Sequence, residues 1–467
     1  SYILAEWDTF FAGILSSIQD KELAYLQIYN ILGQVTEKGF IPNVSSQRGK
    51  TEDRSQPPVG AYCIYKLYKQ FMEKELLEKT FDTLLRWHNW WWIYRDGNKD
   101  GLLEWGSDPY PEGVRLGYDA HSLNAAKLES GLDNSPMYDE ATFNDETNTM
   151  ELADVGLNSL FALDAWALAR IASEIGRIDL AQELDNEYEH LKYKINKFLW
   201  NEKKGIYLNR YWDGRFSFRI SPTCFYPMIA GIATEHQAKL MVKKHLLNPE
   251  EFWGEYVIPS NSRSEKEFND NFYWRGRIWG PMNFLVCEGL KRYGFYDTAY
   301  SFSKKSLNLF RKEWEEKGHI HENYNCITGE GDDVPSSDSF YHWGALLAYI
   351  AVSEVIEVQA WGGIRLGNLS GKECFVENYP IGNSLYSIFI NGGMRVTRNG
   401  EDYIMTDKPV LITDFRIEYG IMSFSVISKV PVNIRINLPE GISKIVVRSG
   451  ADTREYSSPD RTITLSV

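Results

Sequence analysis

Residues 152–199, LADVGLNSLFALDAWALARIASEIGRIDLAQELDNEYEHLKYKINKFL, decide the fold class of this chain. Apolar residues recur in this stretch at three- and four-residue spacing, which is the period of an α-helix with one buried face. The stretch divides at Gly176, so it predicts two consecutive helices, Leu152–Ile175 and Ile178–Leu199. Two helices joined by so short a connection pack side by side as a hairpin.

The same spacing runs through residues 1–357 and predicts about a dozen helices, which come roughly in pairs. Helical hairpins arranged as a ring of six form an (α/α)6 barrel, whose connecting loops line a funnel at one end. Long connectors at 97–150 and 248–271 are typical of functional loops. The other strongly periodic helices are predicted at Ala61–Glu75, Leu76–Arg95, Ala238–Leu247, Met282–Tyr293, Tyr296–Trp314 and Ser339–Glu357.

Near Ala360 the pattern changes to short runs that alternate with period two, such as SLYSIFI (384–390) and MSFSVIS (422–428). Turn residues such as Asn399 and Gly400 separate these runs. Closely spaced alternating runs of this kind are typical of an antiparallel β-sandwich. The sequence therefore predicts a mainly α chain, with an (α/α)6-barrel domain at 1–357 followed by a small antiparallel β-sandwich domain at 358–467.

The chain has 467 residues, a formal charge of -14 and 43% hydrophobic residues, which is enough for a large core. The acidic balance argues against nucleic acid and against an anionic membrane as partners. No apolar run in the sequence approaches the roughly 20 residues that span a bilayer. The 5 cysteines lack metal-site spacing, and the opening SYILAEWD carries no charged-then-apolar leader. These features predict a cytoplasmic protein with free thiols; removal of upstream sequence is the alternative.

Aromatic residues make up 14% of the chain and cluster with polar residues in three segments. Aromatic faces stack on the C–H faces of sugar rings, while Asp, Glu, Arg and Asn bind the hydroxyls. A single Trp is more often a core residue, but three mixed clusters favour sugar binding. The clusters are WHNWWWIYRDGNKDG (87–101), NFYWRGRIWG (271–280) and SFYHWG (339–344).

Two loop segments carry candidate acids for cleaving a glycosidic bond, a reaction that needs a proton donor and a second carboxylate. Asp133 lies in AKLESGLDNSPMYD (126–139), where crowding with Glu129 would raise the pKa of one carboxyl and keep it protonated. Glu322 lies in GHIHENYNCITGEGDD (318–333), between a helix and a Gly-rich turn. The alternatives are an ordinary Asx turn at Asp133 and a surface loop position for Glu322.

Three further segments predict a sugar-binding funnel. NFYWRGRIWGPMN (271–283) places Arg275 and Arg277 beside aromatic residues, where a guanidinium can bind hydroxyls or orient a carboxylate. EWDTFF (6–11) and DRSQPP (53–58) contribute a Trp–Asp pair and a Gln followed by two prolines.

Together, and in this order, these motifs resemble glycoside hydrolase family 63 and its relatives over residues 2–357. The relatives include processing α-glucosidases, mannosylglycerate and glucosylglycerate hydrolases and, more distantly, trehalase. The motifs are W-D at 7–8, I-P-N at 41–43, S-Q-P-P at 55–58, E-S-G-L-D-N-S-P at 129–136, Y-W-R-G-x-x-W at 273–279 and H-E-N-Y-N at 321–325.

The resemblance implies an (α/α)6 barrel and inverting hydrolysis of an α-glucosidic or α-mannosidic bond in a small carbohydrate. By motif, Asp133 is the general acid and Glu322 the general base. The residues that the resemblance places in the substrate-binding funnel are Trp7, Asp8, Gln56, Asn134, Trp274, Arg275, Trp279 and Trp343.

This chain departs from the family pattern in two places. Many members carry an N-terminal β-domain, whereas this sequence begins almost at the first barrel motif. The region 113–126 has the character of a local elaboration. Neither substrate length nor the leaving group can therefore be carried over from the family.

The segment DGNKDGLLE (96–104) resembles the first part of an EF-hand loop. The twelfth position, normally a bidentate Glu, is Ser107, so a distant carboxylate such as Glu151 would complete the shell. We predict a structural calcium ion that braces the loop leading to Asp133, with no cofactor required for chemistry; an ordinary Asp/Asn/Gly turn is the alternative. The ligands in this prediction are Asp96, Asn98, Asp100 and Glu104.

Two other functions compete with hydrolysis. A glycoside phosphorylase uses a similar helical barrel, but phosphate replaces the activated water, so no base carboxylate is needed. A non-catalytic carbohydrate-binding protein would keep the barrel without the acid pair. The presence of Glu322 in its motif argues against a phosphorylase, and the presence of both Asp133 and Glu322 argues against a non-catalytic protein.

Overall fold

The structure, a computed structural model, describes residues 3–110, 120–442, 444–457 and 462–467. Part of the predicted elaboration, residues 113–119, lies outside these ranges. Within them the α-helices all end before residue 356. They are α1 Glu6–Ser16, α2 Lys21–Leu32, α3 Gly60–Phe71, α4 Lys74–Tyr94, α5 Leu123–Glu129, α6 Val155–Glu174, α7 Ile178–Phe198, α8 Tyr226–Ile229, α9 Glu235–Met241, α10 Gly280–Arg292, α11 Tyr296–Lys317 and α12 Leu346–Val355.

Six of these helices form a closed inner ring. In ring order they are α1, α3, α6, α8, α10 and α12; each contacts the next, and α12 returns to α1. Helices α2, α4, α7 and α11 pack on the outside of this ring. This arrangement confirms the predicted (α/α)6 barrel.

The predicted hairpin of residues 152–199 is present as α6 and α7. Asp154 caps α6 by accepting a hydrogen bond from the Leu157 backbone N at 2.8 Å. Gly176, with a φ of 80°, allows the sharp turn that ends the helix. By length and composition α6 could span a membrane, but 94% of its apolar window is buried inside the protein. It is therefore a core helix of the barrel, whereas α7 buries only one stripe and exposes charged residues.

A buried cluster of four charges holds the inner ring to the β-region that follows it. Lys66 of α3 lies 3.0 Å from Glu288 of α10 and 2.5 Å from Glu357. Lys291 contacts both glutamates and lies 2.6 Å from Glu357. Because all four side chains are almost fully buried, removing one leaves an uncompensated buried charge.

Short strands of two or three residues join loops within the helical region. The pair β10–β11 aligns Trp279 with Asn323 and so connects two loops at the mouth of the barrel. These strands are β1 Ile3–Ala5, β2 Val44–Ser46, β3 Gly49–Lys50, β4 Phe143–Asn144, β5 Thr149–Met150, β6 Leu152–Ala153, β7 Trp200–Asn201, β8 Ile206–Tyr207, β9 Arg210–Tyr211, β10 Ile278–Trp279 and β11 Asn323–Tyr324.

The C-terminal region is a sandwich of two six-stranded sheets around its own apolar core. The strand orders are β12-β13-β18-β19-β21-β22 and β14-β15-β16-β17-β20-β23. Strands β19 and β21 pair in parallel, so the prediction of a purely antiparallel sandwich was wrong for this pair. The strands are β12 Ile356–Val358, β13 Ile364–Leu366, β14 Cys374–Ile381, β15 Ser384–Asn391, β16 Gly393–Arg398, β17 Glu401–Thr406, β18 Leu411–Glu418, β19 Ile421–Ile427, β20 Asn433–Asn437, β21 Lys444–Ser449, β22 Asp452–Tyr456 and β23 Thr462–Ser466.

The domain division after residue 357 stays a prediction. In the structure α12 ends at Val355 and the first strand of the sandwich starts at Ile356. The 5 cysteines are free, and Cys374 in β14 is the only one that is not fully buried.

Candidate active site

Loops that lead into the inner helices converge on one cavity of about 270 Å³, which we call the barrel-mouth cavity. Trp7 and Asp8 project from the first turn of α1, Gln56 precedes α3, and Trp343 lies in the turn before α12. The residues that line the barrel-mouth cavity are Ile3, Ala5, Trp7, Asp8, Asn43, Val44, Thr51, Arg54, Gln56, Leu128, Gly131, Asp133, Tyr273, Trp274, Glu322, Tyr341 and Trp343.

Asp133 reaches the cavity because a glycine turn carries the chain across Trp7. Gly131 has a φ of 68°, and a Cβ there would lie 2.8 Å from the Trp7 ring. Burial raises the pKa of Asp133 to about 7; the nearby charge of Arg54 lowers it and that of Asp8 raises it. Such a carboxyl retains a large protonated fraction at neutral pH.

Crowding by Glu129 does not cause this raised pKa, although the sequence predicted that it would. The Arg95 guanidinium donates to both oxygens of Glu129, at 2.7 and 2.9 Å, and the backbone N of Ser55 and Gly106 also donate to it. Glu129 is therefore neutralised by an arginine and positions the loop before Asp133.

Glu322 is a buried side chain, so the alternative of a surface loop position is wrong. The indole of Trp343 donates to its backbone carbonyl at 2.9 Å. The Tyr273 hydroxyl lies 3.3 Å from Oε1, and the Asn323 amide lies 3.2 Å from Oε2. Burial, together with the charges of Asp338 and Asp8, raises the pKa of Glu322 to about 8.

Asp8 is the third carboxyl in the cavity. It accepts a hydrogen bond from the Tyr341 hydroxyl at 2.5 Å, and burial raises its pKa. The pKa of Tyr273, which lines the same cavity, is also raised, by burial and by the charges of Asp133, Glu322 and Asp8. The pKa of all three carboxyls is raised, so the cavity favours their protonated forms and can supply a proton to a ligand.

Indole rings form one wall of the cavity. Trp274 lies between Trp279, stacked at 3.6 Å and 7°, and Trp7, at 6.2 Å and 29°. Trp343 meets Trp274 edge-on at 6.4 Å. Such a rigid apolar surface suits the C–H face of a sugar ring, while the carboxyls of the same cavity suit its hydroxyls. Within the described part of the chain, no donor bonds to the buried Gln56 Oε1, which leaves it to accept from a ligand hydroxyl.

The sequence matches the family model of the mannosylglycerate hydrolase MGH1-like glycoside hydrolase domain over residues 2–343. The chain belongs to this family. It is a glycoside hydrolase, and the resemblance to glycoside hydrolase family 63 is confirmed. Membership favours hydrolysis over both alternatives, a phosphorylase and a non-catalytic binding protein.

Two similar proteins of the family come from distant organisms. Mannosylglycerate hydrolase MGH1 of Selaginella moellendorffii is 24% identical over 382 residues, which cover 70% of this chain and 76% of that protein. The mannosylglycerate hydrolase of Thermus thermophilus is 25% identical over 353 residues, covering 64% of this chain and 77% of that protein.

Solved structures share the barrel. A GH63 mannosylglycerate hydrolase of Thermus thermophilus in complex with glucose superposes with a TM-score of 0.61 at 21% identity, covering 75% of this chain and 93% of that one. Neutral trehalase Nth1 of Saccharomyces cerevisiae gives a TM-score of 0.60 at 18% identity, covering 76% and 72% respectively. These likenesses confirm the predicted fold of the glycoside hydrolase.

Within this glycoside hydrolase, two polar residues predicted to bind substrate do not line the cavity. Asn134 accepts from the Trp274 backbone N at 2.8 Å and donates to the Phe272 carbonyl at 3.1 Å. Arg275 donates to the Asn134 carbonyl at 3.2 Å and to Asp139 at 2.9 Å. Both side chains therefore hold the 272–275 turn against the Asp133 loop.

Three predicted aromatic positions are also core residues. Trp279 is fully buried behind Trp274 and supports it without lining the cavity. Trp90 and Trp91, from the first aromatic cluster, pack in the barrel core. The prediction that the cluster at 87–101 binds sugar was therefore wrong for these indoles.

Besides Thr51, which lies in none of the selected motifs, sequence reasoning missed four polar side chains of the cavity: Asn43, Arg54, Tyr273 and Tyr341. Arg54 is buried, donates to Asp53 at 2.6 Å and to Asn43 at 3.1 Å, and lowers the pKa of Asp133. Each of the four lies in a motif that was selected because of a neighbouring residue. Treating every polar residue of those motifs as a candidate would have found them.

The segment predicted to bind calcium is closed by its own hydrogen bonds. Asp96 accepts from Gly101 N, and Asp100 accepts from Leu102 N and the Asn98 amide. Glu104 accepts from Gly97 N at 2.8 Å and from the Trp212 indole at 3.1 Å. Among the described residues, no group of three or more His, Cys, Asp or Glu side chains could hold a metal ion. These four residues do not fit a calcium shell, and the ion stays a prediction from the sequence.

Proposed function

We propose that this glycoside hydrolase cleaves an α-glucosyl or α-mannosyl bond in a small glycoside and inverts the anomeric centre. One observation carries the proposal: a single buried cavity holds Asp133 and Glu322 beside a wall of indole rings. The cavity volume of about 270 Å³ lies below the ~300 Å³ at which pockets for drug-sized ligands begin, which favours one sugar with a small aglycone.

In this proposal Asp133 is the general acid and Glu322 the general base. Asp133 protonates the glycosidic oxygen while Glu322 takes a proton from a water molecule. The water oxygen then bonds to C1 from the opposite face as the C1–O bond to the aglycone breaks. The product is the β-anomer of the sugar.

The hydrogen bonds support this division of roles. Glu322 has two fixed donors, Tyr273 and Asn323, that stabilise a carboxylate, as a base requires. Asp133 is adjacent to the charge of Asp8, which favours the protonated form that an acid requires. The pKa of Asp133, about 7, and that of Glu322, about 8, run in the opposite order, so the division of roles rests on the hydrogen bonds and on the family motifs.

The relatives guide the choice of substrate. Two are named mannosylglycerate hydrolases, and one solved structure of such an enzyme contains Tris and D-glycerate. We infer that this chain acts on a hexose joined to glycerate or to a second small sugar. A hexose ring would stack on Trp274, and its hydroxyls would bind Asp8 and Gln56.

Proton NMR of the protein with α-linked glucosyl and mannosyl glycerates and disaccharides tests the proposal. The β-anomer appearing first supports inversion, and the substrate consumed identifies the sugar. The α-anomer appearing first means a covalent intermediate and overturns both roles.

Variants test the residue assignments. Asp133→Asn and Glu322→Gln should each lower kcat by roughly 10²–10⁴-fold while the protein still folds. Glu140→Gln, which changes an exposed acid outside the cavity, is the matched control and should retain activity. Near-normal turnover in either active-site variant would overturn that residue's role.

A further inference from the structure

A second cavity, of about 400 Å³, lies between helix α7, the loop at 99–102 and the turn after β9. We call it the outer cavity. It shares no lining residue with the barrel-mouth cavity, and its inner wall is formed by Leu102 and Ala153. It is the larger of the two, and the proposed hydrolysis makes no use of it.

Three cationic side chains line the outer cavity, although the whole chain carries a formal charge of -14. They are Lys99, Lys194 and Arg210, and the acid that lines it with them is Asp100. The Asp100 carboxylate already accepts hydrogen bonds from its own loop, at 2.9 and 3.0 Å. A concave site with an excess of positive charge attracts small anions.

The surrounding structure holds these cations in place. Lys194 donates to the Asp100 carbonyl, which ties α7 to the 99–102 loop. Arg210 donates to the Gly214 carbonyl at 3.0 Å, and its guanidinium lies 5.6 Å from the centre of the Phe198 ring. A guanidinium fixed in this way is suited to a carboxylate or phosphate group.

Aromatic side chains form the rest of the cavity wall. Phe198, Tyr211 and Trp212 all line it. The Trp212 indole donates to Glu104 at 3.1 Å, which fixes the orientation of its ring. Fixed aromatic faces beside cations suit a ligand that combines a sugar ring with an acid group.

We propose that the outer cavity is a second binding site for a small anionic sugar, such as a hexose phosphate or a sugar acid. The cations bind the acid group, and the aromatic residues contact the ring. No bond of the ligand is made or broken there. The 96–104 loop then forms one wall of a ligand site, which gives a function to a motif that the proposed hydrolysis leaves unused.

Isothermal titration calorimetry with glucose 6-phosphate, glucose and inorganic phosphate tests this site. Glucose 6-phosphate should bind most tightly, and it should bind equally well to Glu322→Gln. Lys194→Gln should weaken it by roughly tenfold to hundredfold, the effect of losing one charged hydrogen bond. Lys99→Gln changes an exposed residue and should leave folding intact, and it should act in the same direction.

The matched control is Lys197→Gln, which lies on the same helix but outside the cavity and should leave binding unchanged. The proposal is overturned if glucose 6-phosphate does not bind, or if it binds both lysine variants as tightly as the unmodified protein. It is also overturned if binding disappears in Glu322→Gln, because the ligand would then occupy the barrel mouth. Equal affinity for phosphate and glucose 6-phosphate would overturn the role of the aromatic wall.

Discussion

Asp133→Asn should stabilise the protein at neutral pH even though it lowers the rate of hydrolysis. In the folded protein, burial raises the pKa of this carboxyl from 3.8 to about 7. That rise corresponds to about 4 kcal/mol, because each pKa unit is about 1.4 kcal/mol. The side chain faces the cavity and keeps some contact with solvent, so we expect about half of this gain in the free energy of unfolding, about 2 kcal/mol.

The pH dependence follows from the direction of the shift. Because the folded pKa is raised, the folded protein binds this proton more tightly than the unfolded chain does. The destabilisation is therefore absent below the ordinary value of 3.8 and complete above about 7. Asparagine does not ionise, so the difference in unfolding free energy between the variant and the unmodified protein should be close to zero near pH 4. This difference should grow as the pH rises and level off above neutrality.

Differential scanning calorimetry over about pH 4 to about pH 9 measures this effect as a difference in unfolding midpoint. Glu140→Gln, at an exposed acid outside the cavity, provides the baseline for a surface substitution. A variant that is equally or less stable than the unmodified protein at pH 8 would refute the reasoning. A gain in unfolding midpoint that does not change with pH would also refute it.

Three further predictions concern pH, backbone geometry and the core. The kcat/KM profile should be bell-shaped with its maximum between about 7 and about 8, the pKa values of Asp133 and Glu322, and a maximum near pH 5 would contradict this. Gly131→Ala would place a Cβ 2.8 Å from the Trp7 ring at a φ of 68°, so kcat/KM should fall roughly 10²-fold; unchanged kinetics would show that the loop tolerates the shift. Lys66→Met removes one cationic partner from two buried glutamates, so it should lower the free energy of unfolding by about 3–5 kcal/mol, as measured by denaturant titration. An unchanged free energy of unfolding would mean that the charge cluster repacks around the substitution.

Local periodicity was sufficient to predict the fold class. Helix α7 shows the helical period clearly, helix α6 is recognisable by its long apolar run, and the strands after residue 360 alternate with period two. Helix α8 has only four residues, too few for any period to appear, yet it completes the inner ring between α6 and α10. The parallel pairing of β19 and β21 likewise depends on contacts between distant residues, which one sequence does not reveal.

The cavity was predictable in its motifs but not in the direction of each side chain. Arg275 and Arg54 lie in similar aromatic or proline-rich contexts, but Arg54 lines the cavity and Arg275 pairs with Asp139. Trp274 and Trp279 stack on each other, and of the two only Trp274 lines the cavity. Packing against other loops decides which side of a loop faces the cavity. The spacing of residues in one sequence does not contain that information.

The buried charge cluster has a consequence for how this chain can be divided. Glu357, in the first strand of the sandwich, pairs with Lys66 and Lys291 of the barrel. The Gln70 amide also donates to the Pro380 carbonyl at 3.0 Å, across the same junction. A barrel expressed without its β-region would leave two lysines facing a newly exposed gap. A chimaera that joined this barrel to the β-region of another protein would keep the buried charges paired only if that β-region also supplied the glutamate. We therefore expect the two regions to be inherited as one unit.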